Sequence, residues 1–232
     1  AKLAAESIRQ DLIGKASQIL GADPVNVDLY NGEAFIVGAP SGKIPLSQVV
    51  KALRNEGNPV EALETYRAPT AEPIRKAQLE GKIFPDFTFG TQGVEIEVDT
   101  RTGKINVIKM AGAFDIGKAI NPKRVEGQIE GGMTQGLGYA LMEDFIEDQG
   151  IPQNVNLTTY LVPTAKDVPD IRAIILESGS GKGPFGAKGV GEATIAATAP
   201  AMLNAIFDAI GVRITSIPTT PEVVFSHLKK LR

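Results

Sequence analysis

Residues Gly179–Ala193, reading GSGKGPFGAKGVGEA, set six glycines and two lysines ahead of one carboxylate, Glu192, which precedes an apolar, alanine-rich segment. Glycines let a backbone take positive φ and let a ligand approach it closely. A helix starting after such a loop offers unpaired N–H groups to an anion. The stretch therefore reads either as a cradle for a phosphate or an anionic cofactor, or as a long surface loop with a capped helix behind it. A nucleotide-binding P-loop does not fit, because Gly183–Lys188 is not followed by the Ser or Thr that would hold Mg²⁺.

A second glycine-rich stretch is Gly127–Gly138, GQIEGGMTQGLG, with five glycines inside an expected helix. Each costs about 1 kcal/mol relative to alanine, which calls for close approach by another backbone or by a ligand. Gln128 and Gln135 stand two helical turns apart and share a face. The alternative is that the glycine-rich helix simply packs tightly against a sheet. The 232-residue chain has no cysteine and one histidine, His227. That excludes disulfides, thiolate nucleophiles, Cys-ligated metal and multi-histidine sites within it. Chemistry is left to carboxylates, hydroxyls, backbone amides or a borrowed cofactor.

These stretches need elements to position them. The hydrophobic fraction of 43% and charged fraction of 22% are ordinary for a globular domain, and 232 residues can bury a sizeable core. A net charge of -3 leaves no nucleic-acid footprint. No apolar run approaches the roughly 20 residues of a membrane span and no secretory segment opens the chain, so a cytoplasmic protein is expected. Leu3–Leu20 has helical spacing and stops at Gly21. The chain starts inside this pattern, which suggests a processed product or a split gene lacking its upstream half. Asn31-Gly32 joins Val25–Tyr30 to Glu33–Val37 as a hairpin, and Ser47 is expected to cap a short helix. Val60–Tyr66 is a possible strand. A β region is expected from Phe84. Val94–Asp99 and Ile105–Met110 alternate as a long hairpin whose acidic face is solvated. Asn121-Pro122 starts the glycine-rich helix, expected over Pro122–Glu143. Ile151–Pro169 reads as loop and Ile171–Glu177 as a strand. Glu192–Ile210 reads as a helix kinked or split at Pro200, and Glu222–Lys230 as a terminal helix. Hairpins rather than repeated βαβ units give an α+β fold, mixed sheets packed with helices.

In order and spacing, Phe114-Asp115-Ile116-Gly117 through Asn121-Pro122, Glu126–Gly132 with Gln135–Gly138, and Gly186–Glu192 resemble the xanthine dehydrogenase/aldehyde oxidase family of molybdenum hydroxylases. The resemblance is to the C-terminal part of the molybdopterin-binding subunit and runs over essentially the whole chain, 1–232. It implies a molybdenum–molybdopterin cofactor, including its cytosine dinucleotide form, with no side chain ligating the metal. Glu192 matches the active-site glutamate, whose implied role is general base during hydroxylation of an electron-poor carbon of an N-heterocycle or aldehyde. Gln128 matches the glutamine near the pterin, whereas Gln135 is read as packing. Lys188, Gly189, Val190 and Gly191 match the loop whose backbone lines the cofactor. The family's subunits are several times longer, which implies a larger molybdenum-subunit chain as partner. The same resemblance implies 2Fe–2S clusters and FAD on iron–sulfur and FAD subunits, a small-molecule substrate, and neither nucleic acid nor membrane as partner. The competing reading is a non-catalytic cofactor-binding or assembly module of the same fold.

Overall fold

The computed structural model describes residues 1–67 and 84–230, which fall into two compact units divided between those two spans. In the first unit, α1 (Lys2–Leu20) ends at Gly21 in the left-handed conformation, φ 64. Strands β1 (Val27–Tyr30), β2 (Glu33–Ile36) and β3 (Ala39–Pro45) form an antiparallel meander, followed by α2 (Leu46–Asn55). Asn31 and Gly32 both take positive φ, 47 and 80, as a tight turn between twisted strands requires. Ala16, Val27, Ala34, Val49 and Leu53 make its core.

Two expectations fail here. Pro45, not Ser47, holds the cap position of α2, so Ser47 is already inside the helix and gives no capping hydrogen bond. Val60–Tyr66 is not a strand. Among the described residues no strand pairs with it, and Leu63 is almost fully exposed.

The second unit is built on a three-stranded sheet of order β4–β5–β8, where β4 is Phe89–Val98, β5 is Ile105–Asp115 and β8 is Asp170–Leu176. β4 and β5 form the expected hairpin, and Glu95 and Glu97 are exposed on its outer face. The strand begins at Phe89, not Phe84; the residues before it are bends and loop, with Phe84 and Phe87 in edge-to-face contact. The register shifts at Glu95/Ile96, so that Ile108 is the extra residue. This bulge reverses the inward parity of β5. Ile105 and Val107 point to the core before it, Met110, Gly112 and Phe114 after it.

β5 continues through Asn121, whose side chain accepts the Arg124 N–H as a cap, into α3 (Pro122–Leu141). Two short strands, β6 (Glu147–Asp148) and β7 (Ile151–Pro152), follow. β8 then pairs parallel to β5, so one βαβ crossover sits in an otherwise α+β unit. The helical segment splits as expected into α4 (Ala193–Ala196) and α5 (Thr198–Ile210), and α6 (Pro221–Lys229) ends the described chain. The break falls at Ala197, which leaves Pro200 in the first turn of α5, where its missing N–H costs nothing. Ala193–Ile210 is apolar and long enough, by length and composition, to cross a bilayer. Here that apolarity serves the core: Thr194, Thr198, Ala199, Met202 and Ile206 are buried beside Met110, Phe114, Ile129, Met133 and Leu137.

Candidate functional site

The five glycines of α3 divide by what stands opposite them. A Cβ on Gly132 would collide with the Thr194 hydroxyl, one on Gly136 with the Thr198 side chain, and one on Gly138 with Glu143 and Pro163. These three are notches for close packing. At Gly127 and Gly131 a Cβ would meet nothing within 4 Å. Both border an open cleft of about 510 Å³ whose floor is α3 and whose wall is Gly191, Glu192 and Ile195. Gln128 and Gln135 line the same cleft and are exposed. Gln135 is therefore not a packing residue, and the shared helical face read from the spacing presents both amides to one space.

Glu192 stands at the start of α4 with its side chain exposed. It is the only carboxylate among the residues lining the cleft. The helix behind it is a single turn of four residues, too short for the extended helix mouth that the sequence suggests. Its position is set by the residues around it instead. The Thr194 hydroxyl, fully buried, lies 2.6 Å from the Gly191 carbonyl and 3.2 Å from the Gln128 carbonyl. From β4, the Gln92 amide donates to the Thr194 carbonyl at 2.6 Å and accepts from the Thr198 hydroxyl at 2.6 Å. Sequence reasoning missed Gln92 and both threonines. The available signal was parity: Gln92 stands in register with Val94, Ile96 and Val98, the inward residues of β4.

The glycine-rich loop folds back on itself and is tied to the end of β5. Lys188 N–H donates to the Ile116 carbonyl at 2.8 Å and Gly179 N–H to the Gly117 carbonyl at 3.0 Å. The Lys188 ammonium, 4% exposed, pairs with Asp115 at 2.8 Å and lies over the Phe89 ring. Lys188 therefore uses its charge inside the protein, and it is not among the cleft-lining residues. Neither are Gly189, whose carbonyl accepts from the Thr88 hydroxyl, and Val190, which packs against the core. Of the six residues singled out in the sequence, Gln128, Gly191 and Glu192 meet in the cleft.

Lys188 holds the Asp115 carboxyl well below the usual carboxylate range, helped by Ser178 and the Gly117 N–H. A carboxylate depressed in the folded state stabilises the fold above its unfolded pKa of about 3.9, and that contribution drains away as pH falls toward the folded value. Wild type is therefore expected to melt a few degrees above Asp115→Asn at pH 7, with the gap closing progressively below about pH 4. A gap that stays constant from pH 7 to pH 2 in calorimetry would show that the pair contributes no such term.

A cavity of about 550 Å³ at the C-terminal end of α3, near Leu137, Met142, Asp167 and Glu222, contains none of the six candidate site residues. Among the described residues no group of three or more His, Cys, Asp or Glu side chains is placed to hold a metal ion. The cleft instead offers a floor left open at Gly127 and Gly131, two amides that can donate and accept, and one carboxylate. Those features suit a polar organic molecule with groups that donate and accept hydrogen bonds.

Residues 1–169 match the molybdopterin cofactor-binding domain family. The gamma subunit of the 6-hydroxypseudooxynicotine dehydrogenase complex of Paenarthrobacter nicotinovorans is 35% identical over 93% of this chain and 27% of its own length. The aldehyde oxidoreductase of Megalodesulfovibrio gigas is 38% identical over 64% of this chain and 16% of its own. Among solved structures, quinoline 2-oxidoreductase from Pseudomonas putida 86 superposes with a TM-score of 0.77 at 30% identity, covering 97% of this chain and 28% of that one. The chain thus spans about a quarter or less of the length of the relatives it matches.

Proposed function

The chain belongs to the molybdenum hydroxylase family, as part of its molybdopterin cofactor-binding region, and from that premise we propose that it supplies one wall of the cofactor site and the proton-accepting glutamate of an oxidoreductase. The observation that carries this reading is the cleft itself, where Glu192 on the wall shares one space with Gln128 and Gln135 on an α3 floor left open at Gly127 and Gly131.

In this reading Gln128, Gln135 and the Gly191 backbone hold the pterin part of the cofactor, with Gly127 and Gly131 leaving it room. When bound, the molybdenum cofactor supplies two-electron oxidation of the substrate with water-derived oxygen. This chain's part is proton handling. The Glu192 carboxylate takes the proton from the attacking oxygen nucleophile and, lying at an exposed rim, passes it to solvent. Thr194, Gln92 and the Asp115–Lys188 pair keep that carboxylate and the floor of the cleft in one geometry.

The activities named for two relatives, quinoline 2-oxidoreductase and aldehyde oxidoreductase, support an N-heterocycle or an aldehyde as substrate. A relative that is one subunit of a dehydrogenase complex supports work beside partner chains: the rest of a molybdenum subunit, with iron–sulfur and FAD subunits taking the electrons. Purified with those partners, the protein is expected to contain about one molybdenum and one pterin per copy of this chain, read by metal analysis and pterin fluorescence. A folded, complete assembly devoid of both would overturn the reading.

A further inference from the structure

We propose that Thr194 is a positioning residue whose hydroxyl fixes Glu192 against Gln128, a role that rests on the reading of Glu192 as the proton acceptor. Between the tie at Lys188 and Glu192 the chain carries two glycines, Gly189 and Gly191, whose backbone has wide conformational freedom. The helix after it is one turn long and has little rigidity of its own. Side-chain contacts to other elements must therefore hold the peptide that carries the carboxylate. Thr194 is the side chain placed to do so.

Its hydroxyl has one proton and two carbonyls in reach. The nearer, at 2.6 Å, belongs to Gly191, the residue joined to Glu192; the farther, at 3.2 Å, belongs to Gln128 on the cleft floor. One buried group therefore bridges the wall and the floor of the cleft. The notch at Gly132 admits it, and the Gln92 amide anchors its own carbonyl to β4. A β-branched side chain is stiff at χ1, so threonine holds the bridge in one orientation. No side chain of this set faces the open cleft, and Thr194 itself is fully buried. Its influence on a bound molecule passes through Glu192 and Gln128.

Thr194→Val keeps the shape and removes the hydroxyl; Thr194→Ser keeps the hydroxyl and removes the methyl. In the complete molybdenum enzyme, the Val variant is expected to lose about 10- to 100-fold in kcat, as misplacement by about 1 Å does. KM and molybdenum content should stay within about threefold of wild type, and the Ser variant should keep most of the turnover. Independently of turnover, hydrogen–deuterium exchange at the amides of Lys188 and Ile195 should rise about tenfold in the Val variant and little in the Ser variant. Wild-type exchange in Thr194→Val overturns the tether. Faster exchange with unchanged kcat overturns the positioning role while leaving the tether, and equal losses in both variants reduce Thr194 to packing. Should the Val variant fail to fold, Thr194→Ala, which also lacks the hydroxyl and is smaller, carries the same expectations and the same refutations. If Glu192→Gln retains turnover, the reading of Glu192 fails and the positioning role with it; the exchange result still decides the tether.

Discussion

Glu192→Gln, in the molybdenum enzyme that contains this chain, is expected to lower turnover by about 10²- to 10⁴-fold, the range general acid–base catalysis contributes, with molybdenum and pterin content unchanged. The substitution preserves size and hydrogen-bonding reach and removes only the capacity to take a proton. It is unusually clean here because the Glu192 side chain makes no hydrogen bond or ion pair among the described residues. Two other carboxylates of this unit are committed to the fold. Glu177 accepts the Ala119 N–H and pairs with Lys118, and its carboxyl is held low by them; Asp115 holds Lys188. Exchanging either for an amide disturbs the ends of β5 and β8. Exchanging Glu192 should leave stability within about 0.5 kcal/mol, as at an unengaged surface site. A fall in turnover without a fall in stability or metal thus isolates the proton. Turnover within tenfold of wild type would remove Glu192 from the chemistry and favour the non-catalytic module.

What the sequence made legible was local. Asn31-Gly32, Gly21 and Asn121-Pro122 each specify a turn, a stop or a cap from their own backbone preferences, and the structure contains all three. The alternation of β4 and β5 gave the hairpin, but the bulge at Ile108 depends on which residues pair across it, and alternation within one strand does not carry that information. Val60–Tyr66 failed for the same reason, since a strand needs a partner. The cleft followed the same division. Helical spacing placed Gln128 and Gln135 on one face, and the loop composition singled out Glu192. The residues that hold them lie far apart in the chain: Lys188 meets Asp115 across 73 residues, Thr194 meets the Gln128 carbonyl across 66, and Gln92 meets Thr198 across 106. The five glycines of α3 announced a cost to helix stability without saying which neighbour each one served.

That last ambiguity yields the second large expected effect. Gly131→Leu should stabilise the protein by about 0.5–1 kcal/mol and yet lower its molybdenum content at least about tenfold. The gain comes from replacing glycine in a helix interior by a good helix former, with no atom within 4 Å of the new Cβ to oppose it. The loss comes from an isobutyl group projecting into the floor of the cleft, where displacing or straining a bound cofactor by about 1.4 kcal/mol is already a factor of ten in affinity. One residue further on, the sign reverses. Gly132→Ala adds only a methyl, but it drives that methyl into Thr194 and should cost about 1–3 kcal/mol, as overpacking does. Urea unfolding and metal analysis of the two variants therefore move in ways that a general glycine effect cannot reproduce: Gly131→Leu more stable and metal-poor, Gly132→Ala less stable through the core. Full molybdenum loading in Gly131→Leu would mean that the cofactor does not lie over this face of α3, and the space in front of Glu192 would then have to be assigned to something else.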